Sequence, residues 1–193
     1  LINNYKLKIN KYKLPLRDSK KLTKIQREDW YEKILILKKE GKVDFAVHSI
    51  SASQIDKIGI SKAIKICIEK CLKKLLHPTR PNTGDLPLAR EIDTRNFKIL
   101  LDGGLYAPEE FKNQKTIIKG DEKEKVIALA SIVAKVTRDR YMQKQAFKFP
   151  NYGFERHVGY GTSEHYKAIK KHGLTKLHRV SYLKNLKLIS HKS

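Results

Sequence analysis

The sequence predicts an α/β fold, a mixed sheet flanked by helices with a small helical extension at the C-terminal end. Two short apolar runs, Phe97 to Leu101 and Thr116 to Lys119, have strand composition and run straight into Asp102-Gly103-Gly104 and Gly120-Asp121. Two long stretches, 53–76 and 122–145, place apolar residues at helical spacing. Strands that alternate with helices indicate an α/β sheet. From Tyr152 onward the pattern changes to aromatic, glycine and histidine, followed by a short helix over 163–172 and a basic tail. That change divides the chain into 1–150, the sheet-bearing part, and 151–193.

The remaining elements follow in order. Residues 1–14 alternate apolar side chains with Lys and Asn, an extended or irregular lead-in. Asp18 to Thr23 reads as a turn into a helix, with Thr23 and Gln26 forming a capping box and Trp30, Ile34 and Leu37 its apolar face. Gly41 stops it. Val43 to Ser51 has strand composition. Ile60, Ile64, Cys67, Cys71 and Leu75 define the face of the helix over 53–76, and a loop with Pro78, Pro81, Gly84 and Pro87 follows. There are no repeats.

A chain of 193 residues with 40% hydrophobic content supplies one substantial domain and a real core. Its 42 Lys and Arg against 20 Asp and Glu leave a formal charge of +22. A field of that sign draws in polyanions, so nucleic acid is the first partner to consider. No basic amphipathic anchor argues for a membrane. Cys67 and Cys71, one helical turn apart, suit neither a disulfide framework nor a zinc ribbon and read as reduced core thiols. No stretch is apolar enough to span a bilayer and no signal peptide is visible, so a cytoplasmic monomer is expected.

The most informative residue is Asp139. At 100° per residue it points the same way as Val136, Ile132 and Ala128, on a helix that otherwise reads as buried. A carboxylate on an apolar stripe needs a positive partner, which Lys135 one turn earlier or a metal ion could supply. Asp102 ends an apolar strand, where ligand sites form in open α/β sheets. By itself it reads equally as an Asp-Gly turn. Paired with Asp139 it suggests Mg²⁺ or Mn²⁺, ions that choose oxygen ligands, and metal-dependent phosphodiester chemistry.

Several segments resemble ribonuclease HII, the family that cuts RNA embedded in or paired with DNA. They are Asp18-Ser-Lys-Lys-Leu22, His48-Ser-Ile-Ser-Ala-Ser53 with Ile55-Asp56, Leu101-Asp102-Gly103, Lys119-Gly-Asp121 and Ala130 to Asp139. Tyr152-Gly-Phe154, Gly159-Tyr-Gly-Thr162 with Glu164-His165, and His178-Arg179 with Ser181 complete the series in family order, over residues 15–182. The resemblance implies an RNase H-like sheet and a site of four carboxylates around two divalent ions, Mg²⁺ or Mn²⁺. Asp102 and Asp139 match two of the four. It also implies that Ser131 and Lys135 face the nucleic acid, and that Lys119 and Asp121 lie near the scissile region. Tyr160 matches the tyrosine at the sugar of the ribonucleotide–deoxyribonucleotide junction, with Tyr152 as the competing assignment and a buried aromatic between turn glycines as the plain one. Arg179 reads as a phosphate-backbone contact. Substrates would be RNA–DNA hybrids and duplex DNA carrying single ribonucleotides, cut to 3′-hydroxyl and 5′-phosphate ends.

The family's other two carboxylates belong to an Asp-Glu-X-Gly-Arg-Gly motif on a first strand, and this sequence contains no such motif. The chain therefore resembles a ribonuclease HII without its first two strands. Buried backbone groups left without partners would cost roughly a kilocalorie per mole or more each, so marginal stability and little activity are expected of the 193 residues alone. The competing reading is a non-catalytic basic nucleic-acid binder, a decayed or truncated nuclease. Of the late histidines, His157, His165, His172 and His178, the spacings of eight, seven and six do not put two ligands on adjacent turns, which argues against zinc. Phosphate contact or packing against a helix N-terminus is expected instead.

Overall fold

A computed structural model describes residues 21–76 and 98–183. Expectations for residues 1–14, for the turn at Asp18 and for the proline loop lie outside the described residues. The chain divides into two compact units, one drawn from Leu1–His48 and Ile64–Ala134, the other from Ser49–Ala63 and Lys135–Ser193.

In the first unit, helix α1 (Lys24–Lys39) begins at the predicted capping box: Gln26 N–H donates to the Thr23 hydroxyl, and Thr23 N–H donates to the Gln26 side chain. Trp30, Ile34 and Leu37 are buried, and the chain turns away through Gly41 at φ +68°. The strand expected over Val43 to Ser51 does not form. The segment is extended but irregular, because a strand needs a neighbour for its N–H and C=O groups and no described strand lies beside it.

The helix expected over 53–76 is two helices, α2 (Ala52–Ile58) and α3 (Ile60–Leu76). Gly59 separates them at φ +81°, a left-handed conformation that favours glycine and ends a helix. Ser51 starts α2 with a second capping box to Gln54. Both signals are visible in the sequence; the apolar periodicity that continues across Gly59 masked them.

Strand β1 (Ile99–Asp102) pairs in parallel with β2 (Gln114–Ile117), and Asp102 stands opposite Ile117. Both lie within a few residues of their predicted positions. The α/β class holds, with a sheet of two strands among the described residues. Gln114 ties down the connection between them. Its side-chain oxygen accepts from Ala107 N–H at 2.8 Å and its NH₂ donates to the Phe111 carbonyl at 3.0 Å, while the Thr116 hydroxyl reaches the Leu105 carbonyl at 2.8 Å. Ile68, Leu72 and Leu76 of α3 pack with Ile99, Leu101, Leu105, Ala107 and Phe111, so a helix covers the strand that ends in Asp102.

A single turn, α4 (Gly120–Lys123), precedes the long helix α5 (Lys125–Lys148), where one helix from Glu122 was expected. Glu124, extended at φ −120°, makes the break. Pro150 follows α5 and cannot continue it, and a 3₁₀ turn (Pro150–Tyr152) forms.

In the second unit, Met142 and Ala146 of α5 pack with Tyr152, with Phe154 at the start of α6 (Phe154–His157) and with Ile169 of α7 (Ser163–His172). Helix α7 has the predicted bounds. Thr162 caps it, accepting from His165 N–H, and Glu164 in the first turn with Lys170, Lys171 and His172 in the last complements its dipole. Among the described residues no helix is long and apolar enough to cross a membrane.

Candidate active site and nucleic-acid interface

The parallel register puts the carboxyl ends of β1 and β2 side by side, and this locates Asp102. Its Oδ1 accepts the Gly120 N–H at 2.7 Å. Lys119 makes the approach possible by turning at φ +54°, an uncommon conformation for a residue with a side chain. Gly120 makes it possible by lacking one: a Cβ there would meet Ile127 Cδ1 at 2.5 Å and Asp102 Oδ1 at 3.3 Å. Asp121, next in line, is 4% exposed, while Lys119 is exposed. The first unit thus brings Asp102, Lys119 and Asp121 together around one strand end, as the Lys119-Gly-Asp121 segment suggested. Gly120 was read there only as part of the motif, and its steric role emerges from the fold.

Asp139 lies in the second unit, 6% exposed, on the face of α5 that also buries Val136, Ile132 and Ala128. The helical-wheel expectation is met. Ser131 and Lys135 on the same helix are half-buried. Among the described residues, no group of three or more His, Cys, Asp or Glu is placed to hold a metal ion. Asp102 in the first unit and Asp139 in the second are each an oxygen donor of the kind that Mg²⁺ or Mn²⁺ takes.

The structure separates the two tyrosines. Tyr152 is buried, and its hydroxyl donates to the carbonyls of His172 and Gly173, at 3.0 and 2.9 Å, closing the C-terminal end of α7. It is a core residue. Tyr160 is 65% exposed, which overturns the reading of it as a buried aromatic. Both glycines around it are needed. Gly159 sits at φ +84° with Met142 Cε and Arg138 Nη2 3.1 and 3.2 Å from where a Cβ would be, and a Cβ on Gly161 would meet the Tyr166 hydroxyl at 2.6 Å. Val158, β-branched yet at φ +44°, adds strain of order 1–3 kcal/mol just before the Tyr160 loop.

Asp56 belongs to this unit too, and its role explains why Ile55-Asp56 and Ser181 occur together. Its carboxylate accepts from Val180 N–H at 2.7 Å, Ser181 N–H at 3.1 Å and the Ser181 hydroxyl. The Ser181 hydroxyl bond, with the two backbone N–H groups, holds this carboxyl below its usual range. Arg179, immediately before, lays its guanidinium over the Tyr182 ring at 3.9 Å. In the sequence Asp56 is legible only as part of a motif, since nothing there shows which distant amides it caps.

The histidines correct a second expectation. His157, His165 and His178 are all buried, packed around Phe154 with ring centroids 5.8, 5.5 and 5.9 Å away, so they are core side chains and not phosphate contacts. His172 is exposed. Spacing along the chain registers ligands only on adjacent turns; these rings converge from α6, α7 and the loop after it. In the other unit Cys67 and Cys71 are free thiols, and burial raises both above the ordinary thiol range, which keeps them protonated.

Comparison with known proteins adds what geometry cannot. A family model described as ribonuclease HII matches residues 4–185. A ribonuclease HII of Prochlorococcus marinus subsp. pastoris is 40% identical over 177 residues, covering 92% of this chain and 75% of that protein. One of Caldicellulosiruptor bescii is 38% identical over 171 residues, covering 89% and 72%. Among solved structures, the ribonuclease H2 from Pyrococcus horikoshii OT3 superposes with a TM-score of 0.58 at 21% identity, over 93% of this chain and 82% of that one, a likeness of fold. On the sequence matches, this chain belongs to the ribonuclease HII family.

Proposed function

We propose that this chain is a metal-dependent endonuclease that hydrolyses the RNA strand of RNA–DNA hybrids and cuts at single ribonucleotides in duplex DNA. The observation that carries the reading is Asp102, at the carboxyl end of a parallel strand and oriented by the Gly120 amide, in a chain of the ribonuclease HII family. Asp102 and Asp139 are the metal ligands of this reading. When bound, two Mg²⁺ or Mn²⁺ ions supply activation of a water and charge neutralisation at the leaving 3′ oxygen.

The protein's own side chains bind and orient. Arg179 and Lys119 neutralise phosphates, which gives affinity and salt dependence without sequence preference. Ser131 and Lys135 contact the backbone along α5. Tyr160, exposed between its glycines, meets the sugar, where the 2′-hydroxyl distinguishes RNA from DNA. The family's Asp-Glu-X-Gly-Arg-Gly carboxylates are not among these 193 residues, so the 193 residues alone should cleave little.

Supplied with a segment carrying the Asp-Glu-X-Gly-Arg-Gly motif, the chain should nick a duplex carrying one ribonucleotide when Mg²⁺ or Mn²⁺ is present. Asp139→Asn should lose that cleavage and bind the duplex as well or better. The formal +22 charge favours a second reading, a binder without catalysis. Metal-independent binding with no nicking by the chain so supplied would establish it and remove the first.

A further inference from the structure

The buried histidines contain a chain of hydrogen bonds whose protons can be assigned from the backbone alone. Thr175 N–H, which can only donate, points at His178 Nδ1 at 2.8 Å, so that nitrogen is bare. His178 therefore carries its proton on Nε2, which lies 3.0 Å from His165 Nε2. Only one proton fits between the two nitrogens, so His165 Nε2 accepts and its proton sits on Nδ1. That Nδ1–H donates to the Tyr160 carbonyl at 2.9 Å. His157 follows the same logic separately: Gly159 N–H donates to its Nδ1 at 3.2 Å and its Nε2–H donates to the Tyr152 carbonyl at 2.7 Å. Every nitrogen is occupied, which also removes this cluster as a metal site.

We propose that His165 and His178 are positioning residues for Tyr160: as a neutral pair they relay the Thr175 amide to the Tyr160 carbonyl, and protonating either imidazole breaks the relay and frees the Gly159–Thr162 loop. A charged His165 would set Nε2–H against Nε2–H. A charged His178 would set Nδ1–H against the Thr175 amide. The groups that face the pair supply no opposite charge. His157 stacks on His165 with centroids 4.5 Å apart, and the rings of Tyr152, Phe154 and Tyr166 surround the pair at 5.4 to 6.5 Å. The Thr175 hydroxyl lies 3.0 Å from His178 Nδ1. Glu164, the nearby carboxylate, is ion-paired with Arg156. Burial lowers both imidazoles below the ordinary value of 6.5, and each is lowered further by a neighbouring histidine.

The sign follows from linkage. Well above pH 6.5 the folded and unfolded chains both hold these rings neutral, and the relay is intact. As pH falls below 6.5 the unfolded chain takes up protons that the folded pair refuses. Stability is then lost progressively down through the lowered folded values.

The part that concerns substrate rests on the proposed function; the relay does not. Imidazole nitrogen NMR of the full chain at pH 7.5 should show Nε2–H on His157 and His178 and Nδ1–H on His165. His165→Leu should lower exchange protection of the amides around Tyr160 about fivefold, the loss of one ordinary hydrogen bond. His165→Asn, whose amide can occupy the place of Nδ1–H, should restore that protection and remove its pH dependence. In binding assays the preference for a duplex with one ribonucleotide over all-DNA duplex should fall in His165→Leu and return in His165→Asn. A different tautomer pattern, or Tyr160 amides indifferent to both variants, overturns the relay. The NMR pattern decides this in the unaltered chain even if the Leu variant does not fold. If the NMR and exchange results hold but the unaltered protein shows no preference for the ribonucleotide, the substrate reading fails and the relay stands.

Discussion

The two units hold their key residues by different means. Around Asp102 the geometry depends on what is missing: Gly120 has no side chain, so its amide can reach the carboxylate, and Lys119 turns left-handed to allow it. Around Tyr160 the bare backbone of Gly159 and Gly161 is needed too, but there the geometry depends as well on what is present, since Phe154, Tyr152 and three imidazoles fill the space behind the loop. The first arrangement should break when an atom is added, the second when a ring is removed.

The largest test of that contrast is Phe154→Ala. A side chain buried to 1% and in ring contact with Tyr152, His157, His165 and His178 leaves a cavity the neighbours cannot fill. Urea unfolding should show a loss of about 3–5 kcal/mol. Next is Gly120→Ala, where the added methyl meets Ile127 and the Asp102 carboxylate. Overpacking of this kind costs about 1–3 kcal/mol, and metal-dependent nicking should fall while duplex binding persists. If Gly120→Ala left nicking unchanged, the amide would not be what orients Asp102.

Smaller effects sharpen the comparison. Thr162→Ala removes the cap that accepts His165 N–H, and should cost about 1 kcal/mol in thermal or urea unfolding. Glu164→Gln breaks an exposed ion pair with Arg156 and should leave the unfolding midpoint where it was. A large effect of Glu164→Gln would mean that the Tyr160 region is held by surface charge and not by packed rings.

Local chemistry was legible throughout. The capping box at Thr23, the helix over Ser163–His172, the strand end at Asp102 and the buried face of Asp139 all follow from short-range rules about donors, dipoles and periodicity. The failures have two causes. The strand expected over Val43 to Ser51 had the right side chains but depends on a pairing partner that composition does not reveal. The helix over 53–76 was read through Gly59 because apolar periodicity outweighed one residue's backbone preference.

By itself, then, the sequence determined the family, the charge, Asp102 at a strand end, Asp139 on a buried helix face and the bounds of α1 and α7, because these depend on residues within a turn or two of each other or on motif identity. Tertiary structure decided the rest. It chose Tyr160 over Tyr152 as the exposed ring, joined Asp56 to Val180 and Ser181 across more than a hundred residues, and set three widely spaced histidines into one proton-matched core. Such contacts depend on which backbone amides the fold brings within 3 Å of a side chain, and spacing along the chain carries no record of that distance.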